Sequence, residues 1–148
     1  MCGSPASPLL LVEDGPLALL SAQAALEEAG HRVIAARHGM SALLALDQPL
    51  SAIITDIRLP GPFDGWQLAR KAREAWPGIP VIYVSGDGMG WSQQGVPGSV
   101  LLQKPFASAL LIRALADLMR QSGGRPDGDS RRDDVDRLVR GFATGGPG

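Results

Sequence analysis

The sequence predicts an α/β domain: a five-stranded, doubly wound parallel sheet with helices on both faces. Three observations predict it. Short apolar runs of strand length recur five times, helix-forming segments separate them, and every connection is too long for a hairpin. The apolar runs are continuous rather than alternating, which is the pattern of strands buried on both faces. A parallel sheet with right-handed crossovers satisfies all three.

The first run, Leu9-Leu10-Leu11-Val12, is closed by the turn formers Glu13-Asp14-Gly15-Pro16 and reads as a strand. Leu17 to Ala29 is rich in Ala, Leu, Gln and Glu, lacks Gly and Pro, and meets Gly30 as a C-terminal cap, so it reads as a helix. Val33-Ile34-Ala35 is a second strand, Met40 to Leu46 a short helix, and Ala52-Ile53-Ile54-Thr55 a third strand. Trp66 to Trp76 forms a helix stopped by Pro77-Gly78. Val81-Ile82-Tyr83-Val84 is the most strand-like segment, β-branched and aromatic throughout. Gly86 to Ser99 carries glycines at 86, 88, 90, 95 and 98 with Pro97, so a fourth helix there is short or irregular. Val100-Leu101-Leu102 is the fifth strand, and Ala107 to Arg120 a last helix with Leu111, Leu115 and Leu118 on one face.

At 148 residues, 45% apolar and 20% charged, the chain suits one packed domain. Residues 1–8 read as a flexible leader, 9–122 as the domain, and 123–148 as a polar tail too poor in apolar residues to offset its ordering entropy. Val135, Leu138, Val139 and Phe142 stand at helical spacing, so a short helix near 133–142 is the alternative to a loosely ordered end. The net charge of −1 and pI near 6.1 give bulk electrostatics no hold on nucleic acid or a membrane surface. The tail lacks the basic recognition helix of a DNA-binding domain. A single cysteine, Cys2, excludes an internal disulfide. With neither a signal peptide nor a transmembrane run in the sequence, a cytoplasmic location is expected.

Five-stranded sheets of this kind commonly take the order 2-1-3-4-5, and ligands sit where the winding reverses, beyond the carboxyl ends of strands one and three. The polar residues ending the strands converge there: Glu13 and Asp14, Asp56, Ser85 and Lys104. Singly, each has an ordinary explanation as a loop acid, turn former or surface charge. Together, three carboxylates crowded into one crevice raise one another's pKa unless a cation holds them ionised. Mg2+ answers that conflict, since it takes oxygen ligands and is held by one or two carboxylates plus a phosphate oxygen. The acids carry −3, and Mg2+ with Lys104 supplies +3. Such a site suits phosphoryl transfer, with Asp56 as nucleophile, Asp14 and Asp56 as direct metal ligands, and Glu13 binding through water. The Ser85 hydroxyl and Lys104 would hold phosphoryl oxygens.

The motifs Leu-Leu-Leu-Val-Glu13-Asp14, Ile-Ile-Thr-Asp56-Ile-Arg-Leu-Pro60, Val-Ile-Tyr-Val-Ser85-Gly and Lys104-Pro105-Phe106 carry a resemblance. Over about residues 9–120 the chain resembles the response-regulator receiver domains of two-component signalling. The resemblance implies a flavodoxin-like fold and a histidine kinase or histidine phosphotransfer protein as donor to Asp56. It also implies a metal ligand from the backbone carbonyl of Arg58 and a cis bond at Lys104-Pro105. Three departures stand out. The loop Gly61-Pro62-Phe63-Asp64 is one residue longer than usual in the family, Leu101 replaces the Tyr or Phe that swings inward on activation, and the fourth helix is curtailed.

Arg58 and Asp87 follow Asp56 and Ser85 by two residues, so an ion pair is expected across the mouth of the acid pocket, partly shielding a phosphoryl group from water. Gly86-Asp87-Gly88-Met89-Gly90 does not make a dinucleotide fingerprint, because its third glycine falls at Trp91 and it follows the wrong strand. His31 and His38 are expected to be solvated rather than ligands, Trp66 and Trp76 to pack along their helix, and Trp91 to be either a core plug or an exposed partner anchor. The function expected is a phosphorylation-controlled switch and not an autonomous enzyme. Its surface around Gly86 to Leu102 would alter contacts with an unknown downstream protein, or the domain would drain phosphoryl groups from a kinase. The alternatives are a Mg2+-dependent phosphatase or phosphotransferase, which would want an acid where Arg58 stands, and a degenerate receiver that only binds partners.

Overall fold

The computed structural model describes residues 7–87 and 90–124, with the backbone alone for 122–124. The elements are β1 (Leu9–Val12), α1 (Pro16–Glu28), β2 (Val33–Ala36), α2 (Gly39–Leu44), a 3-10 turn (Ala45–Asp47), β3 (Ile53–Asp56), α3 (Gly65–Ala75), β4 (Val81–Ser85), α4 (Trp91–Gln94), β5 (Val100–Gln103) and α5 (Ser108–Gly124). The sheet is parallel throughout and ordered 2-1-3-4-5, as expected. The short helix near 133–142, the alternative to a loosely ordered end, lies outside the described residues.

Helix ends follow local chemistry. Pro16 opens α1 at a position whose N–H needs no partner, and Gly30, at φ 100°, takes the left-handed turn after the helix. The Nδ1 of His38 accepts the Ser41 N–H, which starts α2 at Gly39; its last turn then tightens into the 3-10 segment rather than running on to Leu46. Asp64 and Gln67 form a reciprocal capping box that places the start of α3 at Gly65, one residue before the expected Trp66. The fourth helix is a single turn of four residues entered through Gly90 at φ 87°, the abbreviation that its glycines foretold.

Strand residues alternate between two cores. Leu10, Val12, Ile53, Val81, Tyr83 and Leu101 join Trp66, Leu68 and Trp91 on one face. Leu9, Leu11, Ile54, Ile82 and Leu102 join Leu26, Leu111 and Leu115 on the other. With both faces covered, the charged residues Glu13, Asp14, Asp56 and Lys104 and the Ser85 hydroxyl stand at or just beyond the carboxyl ends of the strands. Trp91 is the core plug of the two alternatives, 8% exposed, its Nε1 donating to Ser99 Oγ at 3.2 Å. Trp66 is buried against Tyr83, and Trp76, half-buried, donates its Nε1 to the Leu46 carbonyl at 2.8 Å. Among the described residues no helix is long and apolar enough to cross a membrane.

Candidate phosphoacceptor site

Asp56 is the last residue of β3, paired in register with Val84 of β4, and is 6% exposed. Its backbone is held on several sides. The Thr55 hydroxyl donates to its carbonyl at 2.8 Å, the Ile57 N–H reaches the Val84 carbonyl at 3.1 Å, and the Gly65 N–H reaches the Ile57 carbonyl at 2.7 Å. Gly65 is there for space. A Cβ at that position would sit 2.2 Å from the Asp56 carbonyl oxygen and 2.8 Å from the Ile57 Cα. Neither the Thr55 tie nor the Gly65 contact was legible in the sequence.

Lys104 follows β5, and its N–H donates to the Ser85 carbonyl at 2.8 Å. The Lys104-Pro105 bond is cis. The Lys104 Nζ lies 2.9 Å from Asp56 Oδ1 and 3.0 Å from Glu13 Oε1, bridging the two acids. Glu13 is engaged on both oxygens, because its Oε2 accepts the Gly15 N–H at 3.0 Å. Asp14 is exposed at the rim. Glu13, Asp14 and Asp56 each offer a carboxylate oxygen within 4.8 Å of the others. Asp14, Asp56, Arg58, Ser85, Asp87 and Lys104 line one cleft of about 320 Å³. The residues singled out from the sequence therefore meet at one place.

The acids do not share their charge evenly. Burial and the hydrogen-bonded neighbour Glu13 push the Asp56 carboxyl up to about 7, against the pull of Lys104. Burial also acts to raise Glu13, but its hydrogen bonds with Asp56, the Gly15 N–H and Lys104 together hold it below the ordinary carboxylate range. Burial disfavours the Lys104 ammonium, and the two carboxylates outweigh it and raise its pKa. One lysine thus leaves one acid of the pair under-compensated. An all-oxygen donor set that is short of positive charge fits a hard divalent cation.

Ser85, at the end of β4, is not aimed at open space. Its hydroxyl donates to Asp87 Oδ1 at 3.3 Å and accepts the Asp87 N–H at 3.2 Å. Asp87 also holds Arg58, with Nη2 and Oδ2 3.1 Å apart, so the expected ion pair is present across the mouth. Its tie to the Ser85 hydroxyl was not anticipated. His38 is exposed and caps α2, while His31 is half-buried at the end of α1. Leu101 is 2% exposed in the core, with no aromatic ring at its position.

Comparison with known proteins agrees with this geometry. Residues 9–116 match the family described as the response regulator receiver domain. The transcriptional regulatory protein GlrR of Escherichia coli K12 is 32% identical over 125 residues, which are 80% of this chain and 28% of GlrR. CusR of the same strain is 34% identical over 119 residues, 76% of this chain and 51% of CusR. The chain thus spans about half or less of these curated relatives. A response regulator receiver protein from Sinorhizobium medicae WSM419 is 38% identical with a TM-score of 0.76, covering 79% of this chain and 97% of that one. The receiver domain of sensor histidine kinase PA1611 from Pseudomonas aeruginosa PAO1, solved with a magnesium ion coordinated in its active site cleft, is 31% identical with a TM-score of 0.68 over 76% and 97%. The family is a signalling phosphoacceptor domain that binds Mg2+ at an acidic site and interacts with histidine kinases and phosphotransfer proteins, and the Glu13, Asp14 and Asp56 cluster fits that site. With this fold, this cluster and this match, the chain belongs to the response regulator receiver domain family of two-component signalling.

Proposed function

We propose that Asp56 is the phosphoacceptor, taking a phosphoryl group from a phosphohistidine of a histidine kinase or histidine phosphotransfer protein. The observation that carries this reading is the Lys104 ammonium 2.9 Å from Asp56 Oδ1 at the strand ends, beside two further carboxylates. An Asp56 oxygen attacks phosphorus in line, the P–N bond breaks, and the imidazole leaves with the electron pair. Lys104 then follows the charge onto a phosphoryl oxygen, and the Ser85 hydroxyl, released from Asp87, donates to another. Asp14, Asp56 and the Arg58 carbonyl would hold Mg2+ directly, with Glu13 acting through water. When bound, the ion neutralises charge on the acids and the phosphoryl oxygens. The chain's own residues assist only their own phosphorylation and dephosphorylation, and the phosphorylated domain changes its contacts with a downstream protein or returns the group to water.

Incubation with Mg2+ and acetyl phosphate tests the reading by intact mass. A hydroxylamine-labile phosphoryl adduct is expected on the wild type and none on Asp56→Asn; a wild type that stays unmodified would leave a domain that only binds.

The Arg58–Asp87 pair sets a second expectation. Spanning the mouth, it impedes water on its way to the phosphoryl group. Arg58→Ala should therefore shorten the phosphoryl lifetime several-fold, followed as decay of the mass adduct after removal of acetyl phosphate. Asp87→Asn, which keeps an acceptor for Ser85 but loses the ion pair, should do the same. Equal lifetimes in all three proteins would rule out a shielding role.

A further inference from the structure

With Leu101 in place of the usual aromatic, another connection must link the acid site to the surface. Two buried rings stand where such a connection would begin. Trp66 directly follows Gly65, the residue seated against the Asp56 carbonyl. Tyr83 lies two residues before Ser85 on β4, so the two side chains share one face of the strand. The rings meet with centroids 4.7 Å apart at an angle of 56°, and Tyr83 is fully buried.

Both rings lie toward the residues that flank the shortened α4. The Tyr83 hydroxyl accepts the Val96 N–H at 3.1 Å, just beyond the helix. The Cζ2 of Trp66 lies 3.7 Å from the point a Cβ would occupy on Gly90, the residue that caps its start. One ring of this tilted pair thus lies near the residue that precedes the four-residue helix and the other is tied just beyond its end, while Trp91, its first residue, is buried in the core. Ser92, Gln93 and Gln94 carry the outer side of that turn into solvent. A fully packed core passes a displacement on instead of absorbing it.

We propose that the Trp66–Tyr83 pair relays the phosphorylation state of Asp56 to residues 90–96, making this turn the responsive surface of the domain. The relay rests on the phosphoacceptor reading. When the Ser85 hydroxyl leaves Asp87 for a phosphoryl oxygen, the end of β4 shifts toward Asp56, and Tyr83 moves with it. The hydroxyl tether then draws on Val96, and Trp66 repacks against Gly90. Because coupling is reciprocal, a partner that holds the shifted turn would favour the phosphorylated site in return.

The test uses the full chain with Mg2+ and beryllofluoride, a stable phosphoryl mimic. Fluorine NMR reports the bound adduct, and amide spectra report Gly95 and Val96. In the wild type the adduct should form and both amides should shift. In Tyr83→Phe, which keeps the ring and loses the tether, the adduct should still form while the Val96 shift drops to less than half. Trp66→Phe, whose smaller ring falls short of Gly90, should likewise weaken the response, whereas Leu101→Val should keep it. An adduct on the wild type with unmoved amides, or full responses in both Tyr83→Phe and Trp66→Phe, overturns the relay alone. No fluorine signal from bound adduct on the wild type overturns the phosphoacceptor reading and the relay with it.

Discussion

Gly65→Ala is expected to destabilise the domain by about 3 kcal/mol or more and to impair the acid site, because one methyl group cannot fit between α3 and the end of β3. At 2.2 Å from the Asp56 carbonyl oxygen, the new Cβ would overlap backbone, not a side chain that can turn aside. Either α3 withdraws from the sheet, breaking the Gly65 N–H bond to the Ile57 carbonyl, or the strand end carrying Asp56 is displaced. The first costs packing of Trp66 and Leu68, both buried; the second moves the Asp56 carboxylate away from Lys104. Thermal unfolding followed by circular dichroism measures the loss, and the rate of adduct formation with acetyl phosphate measures the displacement. Gly86→Ala is the control. A Cβ there meets nothing within 4 Å, so its melting temperature should stay close to wild type. Equal melting temperatures for Gly65→Ala and wild type would show that the close approach is not a constraint on the fold.

Asp56→Asn should stabilise the metal-free protein at pH 8, and the gain should shrink as the pH falls. The sign follows from the direction of the shift. The Asp56 carboxyl is raised from 3.8 to about 7 in the fold, so its contribution to stability is complete below about pH 4 and is lost as the pH rises through 7. Glu13, shifted down, works the other way, contributing above its unfolded value near 4.5 and losing that contribution as the pH falls. The Asp56 shift is the larger, so deprotonating the pair works on balance against folding. Removing the charge as Asn should raise the melting temperature in EDTA at pH 8 by about 5 to 10 °C. Added Mg2+ should stabilise the wild type by mass action and the variant much less. A stability difference that is the same at pH 4.5 and pH 8 would contradict the assignment of Asp56 as the strained acid.

A receiver that is less stable when empty is one whose site is arranged for charges it does not itself contain. Lys104 is close enough to both acids to pair with either, yet one ammonium between two buried carboxylates leaves Asp56 short. The same shortage fits the acidic cluster to a divalent cation. Under the proposed phosphoacceptor role, function and stability would oppose each other at Asp56, as they commonly do where a charged group is buried for chemistry.

The chain's local code was sufficient for the architecture. Continuous apolar runs, helix formers between them and glycines after them specify five buried strands with helical crossovers, since each signal acts over a few residues. The strand-end residues Glu13, Asp14, Asp56, Ser85 and Lys104 were legible for the same reason: in a parallel sheet, every strand end of one kind lies on one edge. Even the curtailed α4 could be read from its glycines. Other features depended on how distant segments pack. The Gly65 contact with Asp56, the burial of Trp91 in the core and the Tyr83 tie to Val96 each join residues that are far apart along the chain or belong to different elements. So does the elevated carboxyl of Asp56. The sequence by itself determined which groups stand at the strand ends; only the tertiary structure decided their separations and their share of solvent, and a pKa or a steric clash depends on those two quantities and not on residue identity.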